Sequence, residues 1–230
     1  MNKSLEQLYV NNIEGFLHIC SKLKEQNIDD YSWPLLLNIC VDEFNKASTK
    51  IMIIGQETNG WPPAIYSIDD IRKSMNFYGY FTCNKKNPNT SFWRTMYYIN
   101  KIFGNEDSYC FVWNNILKLG KSGDSGRPTS RVTELENKYF NLLSKEIEII
   151  KPDVCIFLTG PKYDNDIKAK ITDVKFEAIK DYSETEFCLL KSNFLPLHSY
   201  RTYHPGFGLR YKDWYYEILN TISNFYGTIK

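Results

Sequence analysis

Residues 50–63 read K-I-M-I-I-G-Q-E-T-N-G-W-P-P. Ile51 to Ile54 form a short unbroken apolar run, the pattern of a strand buried on both faces. Gly55 closes the run, and the polar turn Gln56-Glu57-Thr58-Asn59-Gly60 follows. An acid and two amides just past the carboxyl end of a buried parallel strand stand where open α/β sheets place their ligands. The turn is a candidate binding crevice. The competing reading is a plain strand-to-helix loop with a solvated carboxylate.

Upstream, residues 4–25 carry Leu5, Leu8, Tyr9, Ile13, Phe16, Leu17 and Leu23 at helical spacing, which predicts one amphipathic helix. Residues 31–46 read as a second, with Pro34 tolerated in its first turn. Downstream, Ser67 is placed to cap a helix starting at Ile68, with Asp69 and Asp70 suited to its first turn. Residues 77–89, dense in aromatics and asparagine, read as a loop. Thr90 or Ser91 opens the next helix, which passes Trp93, Met96, Tyr97 and Ile99 to a stop at Gly104. Residues 109–113 read as a second buried strand ending at Asn114-Asn115.

Residues 118–131 form a polar, glycine-rich loop without the spacing of a triphosphate-binding loop, so a nucleoside triphosphate site is disfavoured. A basic loop touching a phosphate backbone and a solvated connection remain as readings. Val132, Leu135, Tyr139, Leu142, Leu143, Ile147 and Ile150 trace one helix face that Pro152 ends. Residues 153–158 read as a third buried strand, residues 173–191 as two weaker ones, and residues 200–203 as a fourth core strand. A last helix turns Trp214, Tyr215, Ile218, Leu219, Ile222 and Phe225 inward. Strands alternating with helices, without an internal repeat, predict an α/β sandwich around a mostly parallel sheet.

At 230 residues the chain is long enough for one domain with a full core. No apolar run is long enough to span a bilayer, and no basic-then-apolar leader opens the chain, so a cytoplasmic protein with no membrane partner is expected. A formal net charge of +1 neither announces nor excludes a nucleic acid, because phosphate binding needs only a local basic groove. The six cysteines include no Cys-x-x-Cys pair, and Cys110 and Cys155 fall in strand-like runs. Buried free thiols are expected, with no metal and no cluster.

Four strand ends carry polar residues: Gln56-Glu57, Asn114-Asn115, Thr159 and His204. In a parallel sheet these ends share one edge. Together the segments resemble the uracil-DNA glycosylase superfamily between Ile51 and Arg210. The resemblance rests on I-I-G-Q-E, on N-I-L-K with the G-R-P-T that follows, on K-P-D-V-C-I-F-L-T-G and on T-Y-H-P-G-F-G-L-R. It implies a single domain over residues 1–230, with residues 1–48 as helices packed on it. The implied fold is a three-layer α/β/α sandwich whose central four-stranded, mostly parallel sheet presents the site at its carboxyl ends.

Cutting the bond between deoxyribose and a base needs a group that orients or deprotonates water, and donors aimed at the base oxygen where negative charge develops. The base must first leave the stack for a pocket that reads its edge. By resemblance Glu57 takes the place of a water-positioning aspartate, one methylene longer, and His204 that of the histidine stabilising the departing base. Asn115 resembles the base-reading asparagine, with Asn114 as its competitor, since only one of two strand neighbours faces a pocket. Gln56 and Asn59 are expected to line the base pocket, and Phe81 to stack on the base, with Tyr80 as rival. Phe207 or Leu209 is the candidate wedge filling the gap in the duplex. Gly206, Arg210, Lys121 and Arg127 are expected to hold DNA phosphates.

The departures bear on substrate. The best-known branch continues G-Q-D-P-Y, its tyrosine excluding bases substituted at C5, whereas this chain has Glu57-Thr58-Asn59. Gly206 stands where a serine is usual, and the cysteine pattern of the iron–sulfur branch is missing, so no cofactor is carried over. The reading is a monomeric, monofunctional DNA glycosylase acting on uracil or a C5-modified pyrimidine, in base-excision repair or in defence against bacteriophage with modified DNA. The alternatives are a catalytically silent DNA or modified-base binder of the same fold and a nucleoside-processing enzyme.

Overall fold

The computed structural model describes residues 1–62, 64–83, 87–105, 111–123, 126–207 and 212–227. The run read as the organising strand is β1 (Ile51–Gly55), buried along its whole length. It lies between β2 (Phe111–Asn115) and β3 (Val154–Leu158), parallel to both. Beyond β3 follow β6 (His198–Thr202), β5 (Phe187–Lys191) and β4 (Lys175–Ala178). The order is therefore β2-β1-β3-β6-β5-β4. β3 and β6 are parallel, while β5 and β4 add an antiparallel edge. The expected four-stranded sheet is thus corrected to six strands. The two weak strands of residues 173–191 form a hairpin that pairs with β6 and occupies what would have been its open edge.

The chain leaves β1 toward β2 on one side and returns past β1 to β3 on the other, so the connections part company between β1 and β3. Open α/β sheets bind their ligands at such a switch point.

Nine α-helices are present among the described residues. The expected first helix is two, α1 (Asn2–Asn11) and α2 (Ile13–Glu25). The break falls at Asn12, whose side-chain amide donates back to the Leu8 carbonyl. Residues 31–46 are not one helix; only α3 (Val41–Lys46) is helical. The segment before it is extended because its amides have partners elsewhere. The N–H groups of Trp33 and Leu35 donate to the carbonyls of Trp61 and Lys118. Those of Leu37 and Ile39 donate to the Tyr9 hydroxyl and the Asn2 side chain. Leu35, Leu36 and Leu37 are buried in succession, which a one-faced surface helix does not allow.

The aromatic stretch read as a loop from residue 77 is largely helix: α4 runs Ile68–Cys83. Ile71, Ser74, Met75, Tyr78 and Thr82 are its buried residues, one helical face, and Ser67 caps it as expected. α5 (Ser91–Ile102) is capped by Thr90. The helix expected over residues 132–150 is divided into α6 (Ser130–Tyr139) and α7 (Leu143–Ile150), with buried Phe140 turned onto Phe16 between them. A 3-10 turn (Pro161–Tyr163) leads into α8 (Asp164–Lys170), and α9 (Lys212–Gly227) ends the described chain. α1 packs on α4 and α7, α2 on α6, and α5 on α9.

The thiol expectation also needs correction. Cys40 and Cys83 form a disulfide, Cα atoms 5.9 Å apart, joining the extended segment to the end of α4. Cys20, Cys155 and Cys188 are free, and Cys110 lies outside the described residues. No described helix is long and apolar enough to cross a membrane.

Candidate active site at the strand ends

The carboxyl ends of β1, β2, β3 and β6 meet as the parallel register requires. Gln56 Nε2 donates to the Thr159 carbonyl at 2.7 Å, and the Gly160 N–H donates to the Thr202 carbonyl at 2.9 Å. Beside this junction lies a cavity of about 450 Å³ lined by Gln56, Glu57, Asn59, Phe81, Asn115 and His204 among others. The two catalytic and four base-binding candidates therefore share one cavity. Much of the remaining wall is aromatic, from Trp61, Phe77, Phe92, Trp93 and Trp113.

Glu57 is set by a neighbour that sequence reading missed. Tyr163 donates its hydroxyl to Glu57 Oε2 at 2.5 Å. The guanidinium of Arg127 lies over the Tyr163 ring, 5.0 Å from its centroid, and forks onto Asp166 through both terminal nitrogens at 2.5 and 2.6 Å. Burial raises the Glu57 carboxyl above its ordinary range, opposed by the Tyr163 hydrogen bond and the Arg127 charge. The only signal for Tyr163 in the sequence is its place four residues beyond Thr159, at the end of the turn that leaves β3.

His204 sits two residues past β6. Its ring stacks on Phe92, centroids 5.4 Å apart and planes 10° from parallel. Nδ1 accepts the Gly206 N–H at 3.1 Å. Burial lowers its pKa to about 4, so the imidazole is neutral at pH 7 and carries its proton on Nε2. The Gly206 N–H, expected to hold a phosphate, thus serves the histidine. A Cβ at Gly206 would lie 3.1 Å from His204 Nδ1, tight enough to disturb that contact.

Asn114 and Asn115 point to different environments. Asn114 joins a buried network, accepting from Lys118 Nζ at 2.6 Å and donating to Glu146 at 2.9 Å. Asn115 lines the cavity, and its Oδ1 accepts the indole N–H of Trp113 at 3.0 Å. Gly55 makes room for it: a Cβ there would come within 2.6 Å of Asn115 Oδ1 and 3.0 Å of the Phe92 ring.

Phe81, not Tyr80, is on the cavity, packed among Trp61, Trp93 and Trp113. Tyr80 is exposed. Asn59 is exposed at the rim, its backbone bridged to Lys121. Lys121 Nζ is 3.8 Å from Asp30, and the loop's first lysine, Lys118, is buried against Glu146 rather than offered to a phosphate. Phe207 is exposed and stacks on Tyr203 at 4.3 Å. Leu209 and Arg210 lie outside the described residues. No group of three or more His, Cys, Asp or Glu among the described residues is placed to hold a metal.

The site therefore offers a desolvated carboxylate, a neutral imidazole donor and an amide around an aromatic-walled hollow. No family model and no curated protein matches the chain.

Proposed function

We propose that the protein is a monofunctional DNA glycosylase that hydrolyses the N-glycosidic bond of a flipped-out uracil or C5-modified pyrimidine. The observation that carries the reading is the meeting of Glu57, His204 and Asn115 on one cavity of about 450 Å³. The helix groups α1, α2, α4, α6 and α7, and α5 with α9, support the three-layer arrangement that the reading expects.

In this reading a base enters between the aromatic walls, where stacking offsets part of the energy of leaving the duplex. Glu57 holds the attacking water. As the bond from C1′ to the base nitrogen breaks, its electron pair moves into the base, and His204 donates a hydrogen bond from Nε2 to the carbonyl oxygen where charge gathers. The water oxygen bonds to C1′ and its proton passes to Glu57, leaving a free base and an abasic site. A neutral imidazole donates here without bringing a cation into a buried site. Asn59, exposed where the best-known branch has tyrosine, leaves the turn without bulk toward a C5 substituent.

The test is incubation with oligonucleotides carrying uracil, 5-hydroxymethyluracil, 5-hydroxymethylcytosine or its glucosylated form, with free base read by mass spectrometry. Base release is the expected result. Glu57→Ala and His204→Ala are expected each to lose a hundredfold or more of that rate while DNA binding persists, on the scale of lost acid–base and charge-stabilising groups. Binding of DNA without release from any substrate would instead identify a silent binder.

A further inference from the structure

Among the described residues, two buried N–H groups on the cavity wall have no acceptor: Asn115 Nδ2 and Trp61 Nε1. A buried donor without a partner is unfavourable, and at a ligand site it marks what the ligand must supply.

The orientation of the Asn115 amide is fixed by chemistry. An indole N–H can only donate, so the atom facing Trp113 Nε1 must be the oxygen. That oxygen also lies over the bare α-carbon of Gly55, where a Cβ would stand 2.6 Å away. The carbonyl is thus turned into the floor between β1 and β2, and the NH₂ group is left for the ligand. His204 adds a third donor at Nε2, because its Nδ1 is occupied by Gly206. Beside the Glu57 carboxylate, which the reading gives to the water, Gln56 Oε1 is a side-chain acceptor on the wall, since Gln56 Nε2 already donates to Thr159.

We infer that the base read here is of the cytosine type, with a ring nitrogen that accepts beside a carbonyl oxygen, and that the imide bases uracil and thymine are disfavoured. This rests on reading the cavity as a base pocket. Cytosine and its C5 derivatives present O2 and an unprotonated N3, two adjacent acceptors for His204 and Asn115, and an exocyclic amine for which Gln56 Oε1 is an acceptor. Uracil and thymine carry a proton on N3, which would meet the NH₂ of Asn115 donor to donor while the amide oxygen remains turned to Trp113.

The test separates binding from chemistry. Tryptophan fluorescence, reporting on Trp61, Trp93 and Trp113 in the wall, is followed while free cytosine, 5-hydroxymethylcytosine, uracil and 5-hydroxymethyluracil are titrated in. The cytosine-type bases are expected to bind about tenfold tighter than their uracil counterparts, the scale of one mismatched buried hydrogen bond. Equal or tighter binding of the uracil pair overturns the inference, as does binding of neither class. The matched oligonucleotides are assayed for base release in parallel. Faster release of uracil overturns the inference and leaves the glycosylase reading standing; a cytosine-type binding preference without release supports the inference and removes the glycosylase reading.

Asn115→Asp, which replaces the donor by a second acceptor, is expected to reverse the preference. Because Asn115 is buried, Trp113→Phe supplies a second variant: without the indole N–H the amide is free to turn, and the preference is expected to shrink toward equality. Preferences unchanged in a folded Trp113→Phe protein would overturn the assigned orientation.

Discussion

Tyr163 holds one oxygen of Glu57, a residue of the cavity wall, at 2.5 Å. A glutamate carries one more rotatable bond than an aspartate, and the tyrosine removes the freedom that bond adds. The phenol also favours the ionised carboxyl, as does Arg127, while burial and Asp166 oppose it. If activity needs the carboxylate, it falls as pH drops through the raised pKa of Glu57. Tyr163→Phe removes a donor to the charged form, so the acid limb of the pH–rate profile should move to higher pH. The rate at neutral pH should fall about tenfold, the value of one charge-assisted hydrogen bond. A lower rate with an unmoved acid limb would mean that Tyr163 acts only in packing. Glu57, His204 and Asn115 could be found in the sequence because each sits just past, or at the end of, a recognisable strand. Tyr163 and Phe92 could not, because their contacts are with a residue 106 positions away in one case and with the ring that follows β6 in the other.

The segment after β2 is held from behind by buried charges. Lys118, which follows the Asn115 strand end by three residues, pairs with Glu146 on α7 at 2.7 Å, and Tyr9 on α1 donates to the same carboxylate at 2.8 Å. Glu136 on α6 accepts the backbone N–H groups of Lys118 and Leu119 and the Lys170 ammonium. Glu146→Ala would leave Lys118 buried without its counter-charge and the Asn114 amide without its acceptor, and should lower unfolding stability by about 3–5 kcal/mol in denaturant titration. The disulfide between Cys40 and Cys83 acts on the other wall, closing a loop of sequence separation 43 around β1 and ending at the helix that carries Phe77 and Phe81. Chain-entropy arguments give about 4 kcal/mol for a loop of that length. Cys40→Ser should therefore lower the thermal midpoint, and a thiol reductant should lower that of the wild-type chain but not of the variant. Neither device was legible in the sequence. A lysine in a glycine-rich stretch reads as solvated, and two cysteines 43 residues apart carry no spacing signal. The aromatic and asparagine content of residues 77–89 masks the i, i+4, i+7 period of α4, set by Ile71, Met75 and Tyr78.

The molecule as a whole places its polar strand ends on one edge, and this much of the arrangement followed from alternating strands and helices. Strand order did not follow, because pairing is set by which faces pack rather than by any local run. The edge hairpin had weak signals because β4 is only partly buried. Gathering titratable groups at one edge also ties global stability to their ionisation, with opposite signs. His204 has its folded pKa depressed from 6.5 to about 4, so the unfolded chain binds the extra proton and stability falls as pH drops through that window. The full span corresponds to about 3 kcal/mol. His198, also lowered by burial, adds in the same direction. Glu57 works the other way: its raised folded pKa means that the native state takes up a proton first, so acidification relieves the burial of its charge. In a Glu57→Gln background that compensation is gone, and denaturant stability should decline more steeply between pH 6.5 and 4 than in the wild type. Adding His204→Asn, which keeps a polar side chain but cannot titrate, should flatten the decline by up to about 3 kcal/mol. Parallel profiles for the single and double variants would show that the imidazole is hydrated rather than buried, and with it the neutral donor on which the proposed chemistry depends would be lost.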